Sequence, residues 1–281
     1  MNTASQNSSL PASPSLVYER IITTLPQAVS LLLAERGQAP EMSPDPQAQW
    51  ELFRALVNTR MPQPASPEFL TLQDQLLQDI LTYRGVVDPS ALPVTSETLP
   101  IKLWQGDITT LATDAIVNAA NSQMLGCFVP GHHCIDNAIH TFAGVQLRLK
   151  CARLMAEQGY PEPTGMAKVT DAFNLPSKTI IHTVGPIAEG NAIPSDCALL
   201  ANCYTACLDA ALNASCTSIA FCCISTGVFG FPQERAARIA VSSVVEWLKA
   251  QESACASVPE VIFNVFLDTD RACYEEILKA Y

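Results

Sequence analysis

Between Asn118 and His140 the chain gathers thiols, imidazoles, a carboxylate and carboxamides. Cys127, His132 and Cys134 fall within one short loop, in the spacing C-x4-H-x-C. Thiolate and neutral imidazole are the donors that Zn²⁺ prefers, and three donors from a tight loop leave a tetrahedral ion one open position. An open position is what separates a catalytic zinc from a closed four-ligand one. The spacing is not that of a standard zinc finger, so a surface loop with incidental cysteines is the competing reading. His133 is an alternative ligand. His140, six residues beyond Cys134, fits better as a packing or hydrogen-bonding residue.

Asn121 and Asp136 are the side chains of this stretch best placed for a sugar, although Asp136 precedes a helix and also suits an N-cap. Asn118 sits deeper, in the strand, where bonding to backbone is the simplest role. Two further loops stand where ligands of open α/β sheets bind, at the carboxyl ends of strands. In Gly106-Asp107-Ile108 the aspartate can accept from an exocyclic amine while the next N–H donates to a ring nitrogen; capping the following turn is the plainer reading. In Ser225-Thr226-Gly227-Val228-Phe229-Gly230-Phe231-Pro232, two glycines let successive N–H groups face one point at a helix start. That makes a diphosphate cradle without the lysine of a nucleotide-hydrolysing P-loop. His182, inside an apolar strand, reads as a satisfied core histidine, and Arg235 and Arg238 as surface charges. There is no Ser-His-Asp arrangement and no pair of catalytic glutamates.

These residues need a sheet to place them. Strands are expected at Ile101–Trp104, Asp114–Ala119, Lys168–Phe173, Lys178–Val184, Ser218–Ile224 and Val261–Leu267. Helices are expected at 137–158, 197–213, 233–251 and 271–280, with the strands at 168 and 178 forming a hairpin. Strands alternating with helices define an α/β sheet covered on both faces. Ahead of it, residues 1–14 read as a disordered tail and residues 15–99 as a helical extension. In that extension Pro26 should break the first helix in two, Ser66-Pro67-Glu68 opens a helix that Gly85 stops, and Asp88–Pro100 is a linker. Covering a hydrophobic face of the sheet is the simplest role for the extension, and docking a partner protein the alternative. Residues 100–281 form the α/β domain.

Over 281 residues, 48% are hydrophobic and 15% charged, which suits a well-cored globule. The net charge of −11 argues against a nucleic-acid backbone binder. No apolar run reads as long enough to span a membrane. Eleven scattered cysteines form no disulfide framework, and the N-terminus lacks the basic and apolar regions of a signal peptide. A reducing cytoplasmic location is the expectation.

In order along the chain, Gly106-Asp-Ile-Thr109, Asp114-Ala-Ile-Val-Asn-Ala-Ala-Asn121, Ile181-His-Thr-Val-Gly-Pro186 and Ser225-Thr-Gly-Val-Phe-Gly-Phe-Pro232 resemble the motifs of the macrodomain family. The resemblance implies a three-layer α/β/α fold with a mixed central sheet that binds ADP-ribose. Asp107 and Ile108 would meet adenine, with Phe266 or its neighbour packing on it. The five residues Gly227, Val228, Phe229, Gly230 and Phe231 would meet the diphosphate, with Ser225 and Thr226 in the same ADP-ribose-binding loop, and Asn121 would meet the distal ribose. Where hydrolytic macrodomains carry a glycine run before Val-Asp-Gly-Ala-Ile-His, this chain has Cys127-Phe-Val-Pro-Gly-His132-His-Cys134 and then Ile-Asp136-Asn-Ala-Ile-His140. That insertion resembles the zinc-dependent macrodomains linked to sirtuin-type ADP-ribosyltransferases acting on lipoyl-carrier proteins. It implies Cys127, His132 and Cys134 as zinc ligands and Asn121 and Asp136 as catalytic residues. The implied activity is removal of mono-ADP-ribose from protein side chains, an acidic linkage first among them. The alternative is a reader of ADP-ribose that cuts nothing and carries a structural zinc closed by His133 or His140.

Overall fold

The computed structural model describes residues 13–96, 98–253 and 258–281. Most of the tail expected at 1–14 lies outside these. Ser13 and Pro14 lie inside them, at the start of the first helix.

Three helices come first: α1 (Pro14–Glu35), α2 (Pro46–Asn58) and α3 (Pro67–Arg84). Each opens on a proline at its first turn, where the missing N–H is no loss. Asp45 accepts from the N–H groups of Gln47 and Ala48, and Ser66 from that of Phe69. Leu25, Val29, Leu32, Phe53, Leu56 and Leu76 form the core between them, each contributing about 1.5–3 kcal/mol of burial. That shared core explains why α1 runs unbroken through Pro26, where two helices were expected. Proline in a helix interior costs about 3 kcal/mol, less than the burial of the residues on either side of it. The expectation that no run reaches membrane-spanning length is also corrected: α1, at 22 residues, is long and apolar enough. Its apolar stripe instead faces α2 and α3, and its Arg20 pairs with Asp79 of α3.

The sheet follows: β1 (Ile101–Gln105), β2 (Ala115–Ala120), β3 (Ala167–Asp171), β4 (Thr179–Val184), β5 (Ser218–Phe221) and β6 (Glu260–Val265). Its order is β1-β6-β5-β2-β4-β3, parallel except for β3, which pairs antiparallel with β4. The hairpin across residues 174–177 supplies that reversed edge. Helices α4 (Ile135–Ala143), α5 (Val145–Gln158), α6 (Pro194–Asn213), α7 (Gln233–Ser253) and α8 (Asp268–Leu278) flank the sheet in a three-layer α/β/α arrangement. Residues such as Ile116, Val117, Ile180, Ile181, Ile219 and Phe263 are buried, as strands covered on both faces require.

The helix expected at 137–158 is two helices. Gly144 (φ 98°) separates α4 from α5, and a Cβ there would come within 2.7 Å of Gln73 Nε2. Gln73 of α3 instead accepts from the Val145 N–H, so the extension caps α5. β5 also ends at Phe221 rather than Ile224, because the chain leaves the sheet at Cys222 to start a loop. The stretch read as a linker is packed: Val94 bridges to Lys102, and Lys102 Nζ donates to Pro89 O. Trp50 of α2 stacks on Phe142 of α4 at 5.8 Å, and Val145 joins the extension's core. The extension therefore covers α4 and the start of α5, a helical surface in place of the expected sheet face.

Candidate active site

The chain leaves β2 at Ala120 and turns sharply. Met124 adopts a positive φ of 61° with its side chain fully buried, an unusual conformation that packing must sustain. Gly126 (φ 78°) then passes so close to His140 that a Cβ would lie 2.7 Å from the ring. Beyond it, the donor atoms of Cys127, His132 and Cys134 all lie within 4.8 Å of one another, with Cys127 Sγ 3.6 Å from His132 Nδ1. Cys134 caps α4, its Sγ accepting from the Asn137 N–H at 3.4 Å, and a helix N-terminus favours thiolate there. Burial first, then the neighbouring Cys127 thiol, pushes the Cys134 thiol up. Two thiols and an imidazole so close together suit a divalent cation that would hold the sulfurs as thiolates, and the three residues could hold such a metal ion. Among the described residues no fourth donor joins this group. His133 is exposed, and His140 lies elsewhere, against Asp136.

Asp136, in the first turn of α4, is buried beside the loop. Its Oδ1 accepts from Asn118 Nδ2 at 2.8 Å and its Oδ2 from Asn121 Nδ2 at 3.4 Å, while His140 Nε2 lies 3.6 Å away. Burial raises its carboxyl to about 6, against the opposing pull of the Asn118 hydrogen bond and the Arg148 charge. Asn121 Nδ2 also donates to Gly126 O at 3.1 Å, so one carboxamide ties the donor loop to the carboxylate. Asn118 departs from expectation: it bonds side chains, not backbone. Its Nδ2 reaches His182 Nδ1 as well as Asp136, which leaves the proton on His182 Nε2, donated to Thr170 Oγ1 at 2.9 Å. Reversing the amide would set its oxygen against the carboxylate. His182 is a satisfied core histidine, held down to about 3 by burial. His140, Cys151 and His182 form a second close trio of donor atoms, but with both His182 nitrogens engaged it serves as a floor beneath Asp136.

The other loops open at the carboxyl ends of two parallel strands, β1 and β5, that flank β6. After β1, Asp107 Oδ1 caps a 3-10 turn through the Thr109 N–H at 2.9 Å, while Oδ2 pairs with Arg84 of α3. The capping role is thus real, and Arg84 is a partner that sequence reasoning missed. Ile108 is buried in the core, so any contact it makes with a ligand falls to its backbone N–H. After β5, Ser225 takes a positive φ of 66°, and its Oγ packs where a Cβ on Gly185 would sit. That approach is why Gly185 follows Val184.

In the cradle itself, the N–H groups of Gly230 and Phe231 close the loop onto Gly227 O and Ser225 O. Those of Gly227, Val228 and Phe229 make no hydrogen bond among the described residues, leaving three amides where five were expected. Thr226 Oγ1 donates to Cys223 O, and the Phe231 side chain anchors the loop in the core. Gly227 has open space where a Cβ would be, so the fold itself does not require glycine there. Arg235, read as a surface charge, donates to Ala192 O at 2.6 Å and braces the loop facing the cradle. Phe266 presents an exposed ring just past β6.

A mixed sheet with a loop of free amides, and with Asn121 bonded to a buried Asp136 at its carboxyl edge, defines the class. The chain belongs to the macrodomain family. The family described as "Macro domain" matches residues 117–240. A protein of Treponema medium named "Protein-ADP-ribose hydrolase" is 52% identical over 236 residues, 83% of this chain and 89% of its own length. A longer Fusarium oxysporum protein, "Probable bifunctional ADP-ribose hydrolase/ADP-ribosyltransferase", is 41% identical over 81% of this chain and 40% of its own length. Among solved structures, the Trypanosoma brucei macrodomain in complex with ADP-ribose superposes with a TM-score of 0.60 at 28% identity, covering 84% of this chain and 96% of the other.

Proposed function

We propose that this chain hydrolyses mono-ADP-ribose from modified protein side chains, with a zinc ion held by Cys127, His132 and Cys134. The observation that carries this reading is the Asn121 carboxamide bonded both to Gly126 of the donor loop and to Asp136. A module that only bound ADP-ribose would need neither the loop nor a buried aspartate beside it. The naming of relatives at about half identity as hydrolases supports the same reading. The free amides of Gly227, Val228 and Phe229 receive the diphosphate. Asp107, the Ile108 N–H and the Phe266 ring receive adenine, and Asn121 the distal ribose.

Bound zinc supplies Lewis acidity at the ribose end of the groove. The chain's own residues do the rest. Asn121 holds the ribose at reaction distance. Asp136 accepts the proton of the attacking water as the bond from C1″ to the side-chain oxygen breaks; general-base help of this kind is worth about 10²–10⁴ in rate. With its carboxyl at about 6, Asp136 is ionised at neutral pH yet basic enough to take that proton.

An acidic side chain is the proposed linkage. A lipoyl-carrier protein is the proposed target, and a sirtuin-type ADP-ribosyltransferase the enzyme whose work is reversed. The fusion of both activities named for the Fusarium relative supports pairing with a transferase. The free cysteines suit a reducing cytoplasm. Incubation with proteins ADP-ribosylated on acidic, serine or arginine side chains tests the proposal: release of free ADP-ribose from the acid-linked conjugate is expected. Binding of all three without release would leave a reader.

A further inference from the structure

We propose that the three-helix extension is a positioning part of this site: Arg54 and Asn58 of α2 hold the loop 127–134 in the shape in which its three donors converge. This rests on the metal reading above. The loop has no regular structure, so its backbone groups need partners from elsewhere. Arg54 Nη2 donates to His132 O and to Asn137 Oδ1, each at 3.1 Å. Asn58 Oδ1 accepts from the Gly131 N–H at 3.0 Å, and its Nδ2 donates to Thr141 Oγ1 of α4 at 2.9 Å. Asn137 passes the restraint on: its Nδ2 donates to Val129 O, and its own N–H reaches Cys134 Sγ.

Arg54 and Asn58 are four residues apart and so share one face of α2. Together they grip the backbone at one proposed ligand, His132, and the residue that orients another, Cys134. Arg148 of α5 completes the frame. Its guanidinium donates to Leu125 O at the loop's start and to Val57 O and Arg60 O at the end of α2, with the Phe128 ring 4.3 Å above it. An extension that only covered α4 would meet it through Trp50 and its apolar neighbours. It would have no use for a buried asparagine and an arginine aimed at a loop. Partners of this outer kind characteristically change metal affinity about 10–100-fold when removed, because the loop must then be ordered by the metal itself.

The test uses the full chain with Arg54→Met, Arg54→Lys and Asn58→Leu, and Cys127→Ser as the zero. Cobalt(II) is titrated into metal-free protein, reading the thiolate charge-transfer band and the tetrahedral d–d bands, with ADP-ribose affinity measured alongside by calorimetry. Arg54→Met and Asn58→Leu should weaken cobalt binding about 10–100-fold and alter the d–d bands while ADP-ribose affinity stays within about threefold. Arg54→Lys, able to reach only one of the two acceptors well, should fall between them and wild type. Should Asn58→Leu fail to fold, the Arg54 pair decides alone. Wild-type cobalt affinity and spectrum in Arg54→Met would overturn the inference, as would loss of ADP-ribose binding in step with the metal. A wild-type protein no different from Cys127→Ser would sink the metal reading itself, and this inference with it.

Discussion

Replacing Asp136 by asparagine should stabilise the metal-free protein at pH 7 relative to pH 4, and should remove the turnover of the zinc-loaded protein. Burial raises the folded-state carboxyl from its ordinary 3.8 to about 6, which corresponds to about 3 kcal/mol. Between those values the folded state holds more of this proton than the unfolded state, so stability falls as pH rises through the window. The contribution is fully present below about pH 3.8 and lost above about 6. The carboxamide in the variant does not titrate, so the difference between wild type and Asp136→Asn isolates this one group. The new amide also faces Asn121 Nδ2, donor to donor, at a pH-independent penalty of about 1–3 kcal/mol. Urea unfolding of both proteins in chelator at pH 4 and pH 7 reads the change directly. The variant should gain about 2 kcal/mol on wild type between the two pH values, most of the full shift, and hydrolysis should drop by about 10² or more. An equal stability difference at both pH values would refute the claim that burial raises this carboxyl in the folded state.

Gly227→Val should leave the melting temperature unchanged, since the space beside it is open, but lower ADP-ribose affinity at least about tenfold by calorimetry. Gly185→Ala should do the reverse first: its methyl meets Ser225 Oγ, and a loss of about 1–3 kcal/mol in chemical denaturation is expected. Phe266→Ala removes an exposed ring, so stability should hold within about 0.5 kcal/mol while ADP-ribose binding weakens.

The loops of the site were legible because each is a local pattern at a strand end: the C-x4-H-x-C spacing, the Asn118-to-Asn121 strand exit and the two-glycine cradle are contiguous in the chain. What escaped was tertiary. Gly144 sits in a run with good helical spacing, but its positive φ and the approach of Gln146, and of Gln73 from α3, forbid a side chain there. Pro26 is a breaker by local rules, overruled by the core shared with α2 and α3. Asn118 within the apolar strand Ala115–Ala120 did carry a signal, since a buried carboxamide needs partners, but nothing in the strand named Asp136 and His182 as those partners. Arg54 and Asn58 left the faintest trace, two polar residues interleaved with Phe53, Leu56 and Val57 of an amphipathic helix. Their hydrogen-bond partners lie more than seventy residues away.

The most direct test of the account is metal content paired with turnover in wild type and Cys127→Ser. Wild type should carry one zinc per chain and release ADP-ribose from an acid-linked protein conjugate. Cys127→Ser should carry none and release nothing, with ADP-ribose affinity within about tenfold, or ~1.4 kcal/mol. Undiminished release by the zinc-free variant would contradict the account.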